Sequence, residues 1–159
     1  MTSERDKWLK MEDAELLRLC RCDFFIGSGR GGQKRNKTSN AVRLVHEPTG
    51  IIVTDCSTRS RDDNRRTALK KLRMQIALEV RNDPVMPERL DTSINHRDFP
   101  RLAAALLDQL AAVEFKVSDA AAAIDLSTGA FVKLLARSPA LWQEVNRQRE
   151  ILFLNPLKQ

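Results

Sequence analysis

The chain has 159 residues, 42% hydrophobic and 30% charged, a globular composition with room for one domain or two small ones. No run approaches the ~20 apolar residues of a membrane span, the N-terminus lacks the apolar run of a secretory signal, and three cysteines give no disulfide framework and fit a reducing, cytoplasmic setting. The net charge of +6 is uneven: residues 27–82 hold 13 Lys and Arg against 5 Asp and Glu, whereas residues 91–159 hold 8 against 8, so the N-terminal half is expected to meet phosphate, most simply that of nucleic acid.

In chain order, residues 4–19 are expected to form a helix, with Trp8, Met11, Leu16 and Leu19 at approximately helical spacing. Asp13 is also able to cap a shorter helix that starts at Ala14. Cys20 to Ile26 reads as a short strand ending at Gly27, and its period of two puts Cys20 and Cys22 on one face. With Cys56 and His46 these thiols lack the usual Cys-x2-Cys zinc spacing, so no metal is expected and they read as small buried hydrophobes.

The next stretch is Gly27-Ser28-Gly29-Arg30-Gly31-Gly32-Gln33-Lys34-Arg35-Asn36-Lys37-Thr38. Four of the chain's six glycines fall in its first six residues. Glycine reaches backbone angles that a Cβ forbids and lets the main chain come close to another molecule. Gln33 thus sits on a permissive loop, with Lys34, Arg35 and Lys37 directly behind it.

Ala41 to His46 alternates as a half-buried strand, and Ile51 to Thr54 returns as its partner. Between them, Glu47-Pro48-Thr49-Gly50 suits a type I turn with proline second and glycine fourth. Ser60 or Asp62 then starts a helix that runs to about Arg81 or Asn82, before Pro84. Leu69, Leu72, Ile76 and Val80 form its apolar stripe; Arg65, Arg66, Lys70 and Arg73 fall mostly off it and are expected to face outward. The fold class is therefore α+β: a short antiparallel sheet packed by a helix, followed by a small all-helical unit.

Residues 1–82 make up the glycine-loop domain, 83–97 a linker interrupted by Pro84 and Pro87, and 98–159 the helical unit. In that unit Leu102, Leu106, Leu107 and Leu110 line the first helix. Ser118 is expected to cap residues 119–124, Ser127 to cap 128–137, and Ser138 with Pro139 to start a last helix ending near Pro156. The second and third of these helices have the look of a helix-turn-helix over 116–137, but only Lys133 and Arg137 in the recognition position are basic.

A self-sufficient hydrolase needs a nucleophile, a base or a metal. His46 and His96 are the only histidines, and neither has a serine or cysteine partner at a motif spacing. Gly-x4-Gly-Lys-Ser/Thr does not occur, and the glycine spacing of a dinucleotide fingerprint fails. No cofactor is expected. Any catalysis must borrow most of its active site from a partner.

Residues 20–82 resemble the catalytic domain of class I peptide chain release factors and of the related single-domain ribosome-rescue hydrolases. Carrying the resemblance are Ser28-Gly29-Arg30-Gly31-Gly32-Gln33, Asn36-Lys37, Ala41-Val42-Arg43, His46-Glu47-Pro48-Thr49-Gly50, and Arg59-Ser60 with Asn64 and Ala68. The resemblance implies codon-independent hydrolysis of the peptidyl-tRNA ester on the large ribosomal subunit, with rRNA and peptidyl-tRNA as partners. Gly31 and Gly32 would fit the tip against rRNA. The Gln33 backbone N–H would stabilise charge developing on the attacked carbonyl oxygen, and its side chain would orient water. Gln33 is also the implied site of amide N-methylation. Arg30, Lys34, Arg35, Lys37, Arg43, Arg65 and Arg66 would grip RNA phosphates.

This chain departs from the family pattern at Arg30, where a small residue or proline is usual, and at Lys34-Arg35, which replaces histidine-valine. Only 26 residues precede Gly27, and Ile151 to Gln159 carries one lysine. A codon-reading domain and a basic tail are thus not expected, which leaves residues 98–159 as a surface for a protein partner. Two other readings stay open on the sequence: an RNA- or ribosome-binding module that hydrolyses nothing, and a DNA-binding regulator acting through residues 116–137.

Overall fold

Burial alternates along Ile51–Asp55 and along most of Ala41–His46, and the two segments pair as an antiparallel hairpin. In the computed structural model, which describes residues 2–27 and 39–159, three antiparallel strands are formed: β1 (Cys20–Phe25), β2 (Ala41–His46) and β3 (Ile51–Asp55), in the order β1-β2-β3. They are joined by α1 (Glu4–Lys10), α2 (Asp13–Arg18), α3 (Arg61–Glu79), α4 (Phe99–Ala112), α5 (Val117–Ala123), α6 (Thr128–Leu135) and α7 (Pro139–Ile151). This is the expected α+β architecture, a small antiparallel sheet with a helix, then a helical unit. The chain divides into two compact units, residues 10–76 and residues 1–9 with 77–159.

In the first unit Val42, Leu44, Ile51 and Val53 turn one sheet face inward, and Ala68, Leu69, Leu72 and Ile76 of α3 are buried with them and with Leu16. Burying such a side chain contributes about 1.5–3 kcal/mol, so this apolar layer fixes the helix on the sheet. Val80 lies beyond the end of α3 and is half-buried. Ser60 is the cap that starts α3: its Oγ accepts from the Asp63 N–H at 3.2 Å.

Several expectations need correction. Residues 4–19 form two helices, because Glu12 adopts an extended backbone (ψ 157°) and its N–H binds the Glu15 carboxylate at 3.2 Å, which caps α2. Arg73 does not face outward. It is 4% exposed, and its guanidinium binds the Met11 carbonyl at 2.8 Å and Asp13 at 2.7 Å. The hairpin turn starts one residue earlier than the proline suggested. The His46 carbonyl accepts from both Thr49 and Gly50, and Gly50 takes φ +73°, which a Cβ would oppose.

In the second unit the helices pack in sequence, α4 on α5, α5 on α6 and α6 on α7. Leu102, Leu106, Leu107 and Leu110 are buried as the spacing predicts. Ser127 and Ser138 cap α6 and α7 through Oγ contacts to the Ala130 and Leu141 N–H groups. Ser118 is not a cap: α5 begins at Val117, with Lys116 in the cap position. Helices α6 and α7 end at Leu135 and Ile151, short of Arg137 and Pro156. Arg5, 2% exposed, ties the first residues to α4, its Nη1 lying 2.9 and 2.7 Å from the two Asp108 oxygens. Arg81 and the Asn82 N–H reach the same carboxylate at 3.4 and 3.0 Å.

Ser138→Ala removes a buried cap and is expected to cost about 1 kcal/mol in urea unfolding. His46 is fully buried, with Nδ1 2.8 Å from the Thr49 hydroxyl, and burial pushes its pKa below the ordinary 6.5. Below pH 6.5 the unfolded chain therefore binds a proton that the folded one resists, and stability falls by up to about 1.4 kcal/mol per pH unit. Urea titrations between pH 7.5 and 5 should show this slope in the wild type and lose it in His46→Gln.

Candidate functional site

Strand register puts both ends of the glycine loop at one end of the sheet. Phe25 pairs with Ala41, and Phe24 pairs with Val42, which in turn pairs with Asp55. The connection from β3 to α3 therefore leaves the sheet beside the loop. Gly27 marks the first foot. It is buried, and a Cβ there would sit 3.2 Å from the Cys56 Cβ and 3.4 Å from the Ala41 Cβ. Close packing, rather than a special φ, is what this glycine serves. The expected site residues Arg30, Gly31, Gly32, Gln33, Lys34, Arg35 and Lys37 lie outside the described residues.

The second foot, Ser39 and Asn40, is held by the first turn of α3. Asn64, fully buried, uses its whole hydrogen-bonding capacity. Its Nδ2 donates to the Asn40 and Thr58 carbonyls, both at 2.9 Å, and its Oδ1 accepts from the Thr58 N–H at 2.9 Å and hydroxyl at 2.8 Å. Arg61 donates through Nε and Nη2 to the Ser39 carbonyl at 3.0 and 2.9 Å, and its Cζ lies 4.3 Å from the centre of the Phe24 ring. Asp55 braces the connection: one oxygen accepts from Ser57, the other from Lys71 at 2.8 Å. Burial pushes the Asp55 carboxyl up, but these hydrogen bonds outweigh it and hold the pKa below the ordinary value.

Arg61 carries no expected role, and Asn64 enters the sequence only as one of the residues of the family resemblance, with no task attached to it. A signal for Asn64 was present: it occupies the buried line of α3 with Ala68, Leu72 and Ile76 at four-residue spacing, and a polar side chain on such a line needs partners.

Of the basic residues expected to contact RNA, Arg43, Arg65 and Arg66 are described, and they stand on different elements. Arg43 stands on the outward face of β2, 3.2 Å from Asp23, which Arg21 also reaches at 3.3 Å. Arg65 and Arg66 pair with Asp62 and Asp63, three residues back along α3, at 2.9 and 3.2 Å. Exposed pairs of this kind hold little free energy and open easily to phosphate. Arg137 is engaged differently, donating to the Leu90 and Thr92 carbonyls at 3.1 and 3.3 Å. Of the two basic residues in the recognition position, Arg137 thus anchors the preceding segment.

The three cysteines form no disulfide and are half-buried rather than fully buried. Burial, with Cys22 and Glu47 nearby, pushes the Cys20 thiol up to about 11, and its Sγ donates to the Leu16 carbonyl; burial also raises Cys22. Neither is an activated nucleophile. Among the described residues no group of three or more His, Cys, Asp or Glu is placed to hold a metal ion, and no helix is long and apolar enough to cross a membrane.

Because Asn64 satisfies buried backbone groups on two segments, Asn64→Ala is expected to cost about 3 kcal/mol in urea unfolding, several times the effect of an exposed substitution. Asn64→Asp, which keeps the acceptor and loses both donors, should also destabilise.

A family model described as the RF-1 domain matches residues 11–98, more than half of the chain. The mouse protein "Mitochondrial translation release factor in rescue" is 40% identical over 88 residues, which are 54% of this chain and 48% of that one. "Peptide chain release factor 2" of Thermomicrobium roseum is 52% identical over 56 residues, 35% of this chain and 15% of its own. "Peptide chain release factor 1" of Ligilactobacillus salivarius is 40% identical over 76 residues, 48% and 20% of the two chains. The chain thus spans less than half the length of these relatives. The family match takes in the sheet, the glycine loop, Arg61 and Asn64, and by it this chain belongs to the RF-1 domain family of class I release factor-like proteins.

Proposed function

We propose that this chain hydrolyses the peptidyl-tRNA ester on stalled ribosomes or free large subunits without reading a codon. The observation that carries the reading is the family match over residues 11–98, which includes Gly31, Gly32 and Gln33 in their ordered context. The rescue role named for the mouse relative supports the codon-independent form. In this reading the rRNA supplies the surrounding active site, and Gly31 and Gly32 let the backbone approach it. The Gln33 N–H donates to the carbonyl oxygen as charge develops there, and its side chain orients the attacking water. A backbone donor needs no titratable partner.

Arg30, Lys34, Arg35, Lys37, Arg43, Arg65 and Arg66 contact phosphate in this reading, so binding weakens steeply with salt. Gln33 is also the proposed site of amide N-methylation. Functionally, residues 1–82 carry the release activity, 83–97 connect, and 98–159 offer a surface to a protein partner. A cytoplasmic setting is part of the proposal, beside the mitochondrial name of the mouse relative.

The test is release of labelled peptide from ribosomes stalled with an empty, sense or stop codon. Gln33→Pro removes the donor itself and is expected to slow release on the order of 10²–10³-fold. Gly32→Ala and Gln33→Ala should slow it as well. Equal release by all four proteins would overturn the assignment. Ribosome co-sedimentation with no release under any codon would favour a binding module instead.

A further inference from the structure

Arg61 touches both sides of the glycine loop. Phe24 lies on β1, before the loop, and Ser39 follows it on the way into β2. The guanidinium presents two N–H groups to the Ser39 carbonyl at 3.0 and 2.9 Å, while its carbon sits 4.3 Å over the Phe24 ring. A planar fork can donate twice and stack at once; an ammonium cannot. The residue is exposed, so this arrangement is not forced by burial. Three residues along α3, Asn64 fixes the neighbouring Asn40 carbonyl. Arg65 and Arg66, on the same first turns of α3, pair instead with surface carboxylates.

We infer that Arg61 is a positioning residue for the glycine loop rather than a phosphate contact: it ties Phe24, on the strand before the loop, and Ser39, at the second foot, to the start of α3 and so sets the direction in which the chain leaves the sheet. This inference rests on the peptide-release reading, because direction matters only if the loop must deliver a group to an external site. Misplacing a reacting group by about 1 Å can cost on the order of 10²-fold in rate. The substitution should therefore act on the chemical step and leave ribosome affinity alone.

The discriminating pair is Arg61→Met and Arg61→Lys, assayed by single-turnover peptide release with half-saturation and salt dependence measured together. Positioning predicts that both variants lose at least tenfold in maximal rate, with half-saturation and salt slope unchanged, since lysine keeps the charge but not the double donation and the stack. A phosphate contact predicts the opposite: Arg61→Lys releases normally, while Arg61→Met raises half-saturation and flattens the salt slope by roughly 0.7–0.9. That result, or wild-type rates in both variants, would overturn the inference.

A second measurement on the free protein separates this from the function itself. In carbon-13 spectra, the Ser39 carbonyl resonance and the Phe24 ring resonances should move in both variants. If wild type releases no peptide but these resonances move, the release reading fails and the staple stands. If the resonances stay in place, the staple fails whatever the release assay gives.

Discussion

The carboxamide of Asn64 is the constraint on which the glycine-loop end of the sheet depends. It spends two donors and two acceptor positions on three backbone groups and one hydroxyl, and it does so where water cannot substitute. The entry into β2 and the turn before α3 are thereby one rigid object. Gly27 seats the other foot against Cys56, which belongs to the same β3–α3 connection. A loop rich in glycine gains nothing by being anchored on flexible ground; here the anchors are side chains whose own geometry is fixed by packing.

The charge pattern divides into two populations that the sequence presents as one. Within the basic stretch, Arg61, Lys71 and Arg73 are committed to carbonyls and carboxylates of the fold. Among the described residues, Arg43, Arg65 and Arg66 pair with acidic neighbours at the surface, and such a pair exchanges its partner for a phosphate at little cost. The excess of 13 basic over 5 acidic residues in 27–82 therefore overstates the charge offered to a ligand.

What could be read from the chain was what local rules govern. The hairpin follows from alternation, the caps at Ser127 and Ser138 from side-chain chemistry, and the α4 core from leucine spacing. The sites that escaped are those set by distant partners. Arg73 lies off the apolar stripe of its helix, which points it outward, yet Met11 and Asp13, some 60 residues earlier, draw it in. The break between α1 and α2 falls at the extended residue Glu12, one position before Asp13, the cap that the sequence offers for a shorter helix. Arg61 looked like one basic residue among many, and only the positions of Phe24 and Ser39 give it a separate role.

The buried pair of Arg5 and Asp108 has a consequence for biosynthesis. These residues are 103 apart, and the glycine-loop unit is encoded entirely between them. At roughly 5–20 residues per second, the first residues wait on the order of 5–20 s for their carboxylate to be made. During that interval residues 10–76 are already available to fold, whereas the unit that contains the N-terminus is still incomplete. The order of maturation is thus written into the topology: the inserted unit can form on the ribosome first, and the discontinuous one closes around its charge pair only after α4 has been synthesised.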